Sequence, residues 1–354
     1  MKIRIIAIAM LAAFSAISLA GDSAEEMLGK IKAVKNPTFD AAKRSDSTYI
    51  QQYYADLTKV NEERGRLILD FYKAYPDNED ADKLMNQRWA AMGGVGKAPD
   101  KDRIKAIDAD IDSIISASAP AQVKQDGTFW KARYDLIGAG SDINQANAAI
   151  DSFMKAYPAD PRGAQLLSME VQLPGVANDL KAKRSIYERM IKDYKDSPSS
   201  KYAPGIIRQL DGVGKPFDLT FTDAVTGKTI SIKDLKGKVV LLDFWATWCG
   251  PCIARMPEMK KLYADMHDKG LEVLGISLDQ PEAKGGLTKL KDYVSTNSIA
   301  WPQYYQGNYW SSEFSTSWGI NSIPCVFLID KNGNLAEVTY PQDLENKVKK
   351  LLGN

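Results

Sequence analysis

The chain has 354 residues, 44% of them hydrophobic, and its 46 basic and 45 acidic side chains leave a formal net charge of +1. So even a balance offers no field for nucleic acid or an anionic membrane surface, and neither is expected as a partner. Three cysteines exclude a disulfide-stapled scaffold, and the length suffices for two ordinary cores.

The first twenty residues carry Lys2 and Arg4, an apolar run from Ile5 to Leu19, and the small-x-small triplet Ser18-Leu19-Ala20. This is the pattern of a secretory signal peptide cleaved after Ala20. No cysteine follows it to take a lipid anchor, and the apolar core is short for a stable membrane span. The periplasm, or an equivalent space outside the cytoplasm, is the expected location.

From Gly21 to about Leu210 the chain reads as helices with short polar breaks. Apolar residues recur at threes and fours in Leu67, Ile68, Phe71 and Tyr75, and again in Ile186, Tyr187, Met190, Ile191 and Tyr194. Similar segments break at Pro76, Pro120, Pro158 and Lys195, which are 44, 38 and 37 residues apart. A helix–break–helix unit of that length is similar to a tetratricopeptide-type hairpin repeat; an irregular bundle is the alternative. The aromatics at helical spacing are expected in the core. Gly93–Gly96 has no preceding strand and no GK[ST] ending, so it is a loop rather than a phosphate cradle. Nothing here arranges a nucleophile, base and oxyanion donor, so no catalytic role is read for the helical region, and a protein partner is one use left open to it.

Punctuation by Ser199, Ser200, Pro204, Gly212 and Gly214 marks a boundary, and the domains are expected at 1–20, 21–210 and 211–354. Phe217–Thr222 and Lys228–Ile232 alternate around Thr226-Gly227, predicting a β-hairpin. Lys238–Thr247 reads as a buried strand and Ile253–Lys269 as a helix ended by Gly270. Leu271–Leu278 follows as a parallel strand, then a helix over Thr288–Asn297 and a short strand over Trp301–Tyr305. Val326–Asp330, the Asn332-Gly333 turn and an amphipathic helix over Leu344–Leu352 close the chain. Strand and helix alternate as crossover units require.

The chemistry concentrates in Val239–Pro257, VVLLDFWATWCGPCIARMP. Cys249 and Cys252 stand three apart at a helix start, where unpaired amides and the dipole stabilise a thiolate. Cys249 is expected to be the exposed nucleophile and Cys252 to lie one turn in, within disulfide reach. A bare C-x-x-C also serves as half a zinc site or a static disulfide. Here there is no second C-x-x-C and the only histidine is His267, so zinc would need unusual ligands. No metal and no cofactor are expected.

The run W-A-T-W-C-G-P-C, followed five positions on by Pro257 and preceded six positions before Cys249 by Asp243, resembles the thioredoxin superfamily, and within it the TlpA/ResA-like thiol-disulfide oxidoreductases. The resemblance spans about Lys215–Asn354. It implies an α/β thioredoxin-like C-terminal domain, a central mixed sheet flanked by helices, behind an all-α repeat or bundle domain. By the same resemblance Pro324 is cis and faces the cysteines, and Ile323 offers its backbone to a bound peptide strand. Cys325 departs from the family, which usually has threonine or serine there; it is read as a small buried hydrophobe, with a third redox thiol as the alternative. The excess length between Cys249 and Pro324 matches the family's central insertion, where Tyr304, Tyr305, Tyr309, Trp310 and Trp318 either rim a substrate groove or pack on the sheet.

The implied reaction is thiol–disulfide exchange, with Cys249 attacking and Cys252 resolving. Asp243, flanked by apolar residues, suits the base that takes the Cys252 proton. Trp248 is expected to shield the site and Trp245 to pack beneath it. Gly250 and Pro251 supply no cation, which favours a reductant over an oxidant. Its partners would then be exported proteins bearing thiols or disulfides, and a membrane thiol donor that re-reduces it. A thiol peroxidase shares the fold but places a threonine three before the reactive cysteine, whereas Thr247 stands two before. A non-enzymatic scaffold with a thioredoxin-like adaptor is the remaining alternative.

Overall fold

The structure is a computed structural model that describes residues 22–353 apart from 117, 178 and 341. The signal peptide read over residues 1–20 lies outside the described residues. The chain divides into two compact units, Met1–Ala139 and Gly140–Asn354.

The described part of the first unit is helical: α1 (Ala24–Ala33), α2 (Ser47–Ala74), α3 (Ala81–Met92), α4 (Lys101–Ile114) and α5 (Ala121–Ala139). Side-chain caps start α1, α2 and α4. Ser23 and Glu26 form a reciprocal capping box, and Asp46 and Asp100 accept amides of the first turns. Ile104, Ile107, Ile111 and Ile114 make one buried stripe on α4. They join Ile68, Phe71, Met85 and Trp89 in a single core. Arg88, buried with that core, grips Asp110 through both terminal nitrogens at 2.5 and 2.6 Å and donates Nε to Gly65 O. A guanidinium out of water needs such a fork.

The second unit opens with α6 (Ile143–Ala156), α7 (Arg162–Glu170), α8 (Pro174–Ala177), α9 (Leu180–Tyr194) and α10 (Ala203–Gly212). Pro76, Pro120, Pro158 and Lys195 each fall between successive packed helices: α2 with α3, α4 with α5, α6 with α7, α9 with α10. The N-terminal region is therefore all-helical. None of the described helices is long and apolar enough to cross a membrane.

Glu170, at the end of α7, has no exposed surface, and neither carboxylate oxygen has a hydrogen-bond partner among the described residues. Burial pushes its carboxyl up to about 7, with Arg189 pulling the other way. An unfolded glutamate titrates near 4.5, so the folded chain holds the extra proton between these values. Stability therefore falls as pH rises from about 4.5 through 7, and the whole penalty stands above that window. Glu170→Gln should raise Tm by about 2–6 °C at pH 8.5 and by much less at pH 5. Thermal melts at the two pH values check this, and a gain independent of pH would contradict it.

The rest of the unit carries a short antiparallel hairpin, β1 (Thr220–Thr222) with β2 (Thr229–Ser231), and a five-stranded mixed sheet. The strands are β3 (Val239–Trp245), β4 (Leu271–Ser277), β5 (Gln303–Tyr305), β6 (Cys325–Ile329) and β7 (Leu335–Thr339), in spatial order β5-β4-β3-β6-β7. β3 is central and buried at all seven positions, parallel to β4 and antiparallel to β6. Helices α11 (Gly250–Met266), α12 (Gly286–Thr296), α13 (Glu313–Ser317) and α14 (Leu344–Leu352) complete the domain. Gly270 ends the α11 segment at φ 102°, and Gly333 turns the β6–β7 hairpin at φ 84°, both in the left-handed region. The fold is thus a thioredoxin-like α/β domain behind an all-helical region.

Candidate redox site

β3 runs apolar up to Asp243, Phe244 and Trp245, and the chain then leaves the sheet through Ala246–Trp248. Asp279 fixes that exit: its Oδ1 accepts from Thr247 N at 3.0 Å and from Thr247 Oγ1 at 2.6 Å. Cys249 follows as the N-cap of α11, and its Sγ accepts from Cys252 N at 3.2 Å. One otherwise unpaired amide of the helix end is thereby spent on sulfur. Cys249 and Cys252 form a disulfide with S–S 2.04 Å and Cα–Cα 5.2 Å. Gly250 and Pro251 make the exposed first turn between them.

The expected contrast of an exposed Cys249 and a buried Cys252 is not seen, since they are 4% and 2% exposed. As the N-cap, Cys249 turns its sulfur onto the first turn, where it accepts the Cys252 amide. Trp248 carries the exposure, at 39%, with its Nε1 donating to Leu278 O at 3.1 Å. Its ring lies 4.8 Å from that of Tyr309 and 5.7 Å from that of Trp310. The insertion aromatics therefore divide. Tyr309 and Trp310 flank the tryptophan beside the disulfide, while Tyr304 stacks on Phe221 and Trp318 packs on Phe217 and Phe327. Trp245 is wholly buried, its Nε1 donating to Gln303 Oε1 at 3.0 Å.

Asp243 is buried in β3, paired in register with Gly275 and Val326. Burial pushes its carboxyl above the usual range, while the charge and hydrogen bond of Arg255 pull it down. Arg255 Nη2 donates to Asp243 Oδ1 at 2.6 Å. Arg255 is absent from the sequence reading; its place three residues past Cys252, on the same helical face, was the available signal.

The Ile323–Pro324 peptide is cis. Cys325 opens β6 opposite Phe244, so the two residues before it lie at the end of the sheet where β3 hands over to the cysteine turn. Ile323 and Pro324 are both half-buried, and Ile323 packs against the domain core. Cys325 itself is buried, and burial, followed by the nearby Asp243 charge, pushes its thiol up to about 12. Such a thiol is a poor nucleophile at neutral pH. Cys325→Ser should leave the two-electron reduction of Cys249–Cys252 unchanged, as read by redox titration with thiol alkylation. Loss of the couple in that variant would show a third redox thiol. His267 lies at the far end of α11 against Tyr263 and Leu271 O. Among the described residues no three His, Cys, Asp or Glu side chains are grouped to hold a metal ion.

A dithiol centre at a helix N-terminus, next to the central strand of this mixed sheet, defines a thioredoxin-like thiol-disulfide oxidoreductase. Comparison with known proteins agrees. The AhpC/TSA family model matches residues 213–338. The thiol-disulfide oxidoreductase ResA of Bacillus thuringiensis (strain Al Hakam) is 32% identical over 143 residues, covering 39% of this chain and 78% of the relative. ResA of Bacillus anthracis matches to the same extent, 32% identical over 143 residues, covering 39% and 78%. Among solved structures, the thioredoxin domain of a thiol-disulfide oxidoreductase from Bacteroides vulgatus is 28% identical, covering 38% of this chain and 94% of its own, with TM-score 0.34. The chain belongs to the ResA family of thiol-disulfide oxidoreductases.

Proposed function

We propose that the protein is an extracytoplasmic disulfide reductase acting on exported proteins. The carrying observation is the Cys249–Cys252 disulfide at the α11 N-terminus, with the Cys252 amide on the Cys249 sulfur. In the reduced enzyme the Cys249 thiolate attacks a substrate disulfide, forming a mixed disulfide and expelling one substrate thiolate. Cys252 then gives its proton to Asp243 and attacks the Cys249 sulfur. That breaks the bond to the substrate, which leaves fully reduced, and the enzyme is left oxidised by two electrons. Pro324 and Ile323 would receive the substrate backbone, with Trp248 beside it.

Direction follows from what stabilises the attacking thiolate. Gly250 and Pro251 bring no cation to it, and Arg255 is engaged by Asp243. The helix end alone leaves the thiolate moderately stabilised. Thioredoxin, with the same dipeptide, has a cysteine pKa near 7 and a potential of about −270 mV. The leader-like first twenty residues support action outside the cytoplasm, where a membrane thiol donor would recharge the dithiol. Equilibration with defined ratios of reduced and oxidised dithiothreitol, followed by alkylation, tests the direction. A potential near −270 mV supports a reductant, and one near −120 mV, that of a strong oxidant, would overturn it.

The AhpC/TSA match favours thiol peroxidase as the second reading. Against it, the Thr247 hydroxyl donates to Asp279, which removes it from peroxide binding. Hydroperoxide turnover at low concentration would favour the peroxidase.

A further inference from the structure

Asp243 sits 1% exposed on β3, six residues before Cys249, and Arg255 is its one cationic neighbour among the described residues. That arginine stands one helical turn past Cys252 on α11, so cysteine, guanidinium and carboxylate share one buried side of the domain. Its side chain is 11% exposed. Nη2 is engaged on Asp243 Oδ1 at 2.6 Å, while Nε and Nη1 are buried with no partner among the described residues. An arginine kept for structure fills its donors, as Arg88 does on Asp110 and Gly65. Leaving two buried donors empty costs about 1–3 kcal/mol each. The arrangement keeps a charge beside Asp243 rather than a saturated network.

We propose that Arg255 is a positioning residue for the exchange reaction: its guanidinium holds the Asp243 carboxylate in place and favours the charged form that takes the Cys252 proton. The inference rests on the reductase reading above. An isolated carboxylate in this apolar setting would keep its proton and could not accept another. The adjacent guanidinium offsets part of that burial. When Cys252 attacks, its proton passes to Asp243, and the Cys249–substrate bond breaks as the Cys249–Cys252 bond forms. Reduction of the enzyme by its donor sends the proton back. The other ionisable neighbours do not take this part. Cys325, across on β6, keeps its proton. Glu258, Lys261 and Asp265 on α11, with Asp343 and Glu345 before and on α14, line an open cavity beside Arg255, in contact with solvent.

The test uses Arg255→Met and Arg255→Lys in the full chain. Wild type and Arg255→Lys should reduce a model protein disulfide with similar pH profiles. In Arg255→Met the acid limb should move up by about one unit, so that the rate well down that limb falls about tenfold and recovers at high pH. A second readout needs no turnover. The Asp243 carboxyl of the oxidised protein, followed by carbon-13 NMR, should titrate at higher pH in Arg255→Met than in wild type. Superimposable profiles and titrations would overturn the proposal. If wild type reduces no disulfide, the reductase reading fails, and the titration still decides what Arg255 does to Asp243. Should Arg255→Met not fold, Arg255→Gln, which loses the charge and keeps a donor, carries both readouts.

Discussion

Cys249→Ser should lower disulfide reduction by a factor of about 10³ or more, while Cys252→Ser should stop the reaction half-way as a covalent adduct. The two outcomes differ because the helix end treats the two sulfurs differently. The Cys249 sulfur caps α11 and accepts the Cys252 amide, an environment that favours an anion. A serine hydroxyl there meets the same amide but stays protonated, so nothing attacks. In Cys252→Ser the attacking thiolate survives and only its release is lost. The substrate then stays attached, seen as a band on a non-reducing gel that dithiothreitol dissolves. Cys325 does not substitute, because its thiol holds its proton up to about 12. Neither variant should unfold, since a disulfide between residues three apart stabilises by only about 2 kcal/mol in the loop-entropy picture. A Cys249→Ser protein that keeps more than a tenth of the wild-type rate would contradict the assignment of the nucleophile.

What the sequence discloses and what it hides separate along physical lines. β3 is visible because a strand buried on both faces reads as an unbroken apolar run, and Val239–Trp245 is buried throughout. The closing helix is visible because Leu344, Val348 and Leu352 repeat at four, and those are its buried positions. The α4 isoleucine stripe shows for the same reason. The hairpin is shorter than alternation suggests, three residues a side, because alternation marks a face and not the length of a ladder. In β5, period two does not say which neighbour a face meets; Tyr304 faces Phe221 of the hairpin. The Arg255–Asp243 pair is harder still. It joins a strand to the helix after it, and only the packing of α11 on the sheet decides which polar side chain the buried acid finds. Arg88 and Asp110, on α3 and α4, were illegible for the same reason.

Gly205→Ala should destabilise the second unit by about 3 kcal/mol or more, lowering Tm by about 6–12 °C, although alanine is the better helix former. A Cβ on Gly205 would lie 2.1 Å from Gly319 N, 2.6 Å from Gly319 Cα and 2.7 Å from Thr316 O. All three are backbone atoms, so no rotamer change relieves the overlap and α10 must move away. Gly319 has φ 66° and meets α10 in return, so the two glycines cross with nothing between their backbones. Around the crossing, Gln209 donates to Trp318 O and the Arg208 guanidinium sits 4.1 Å from the Trp318 ring centre. Trp318 is in turn wedged against Phe217 and Phe327. The chain then runs through Asn321 and Ser322 into Ile323, Pro324 and Cys325. Displacing α10 therefore loosens the segment that presents the cis peptide, and disulfide reduction should slow together with the fall in stability. Gly29→Ala is the matched control. It lies inside α1 with nothing among the described residues within 4 Å of the new Cβ, so propensity alone acts and a gain of about 0.5–1 kcal/mol is expected. Thermal melts of the two variants should move in opposite directions. A Gly205→Ala protein that melts at or above wild type would mean that α10 does not close on the Thr316–Gly319 backbone.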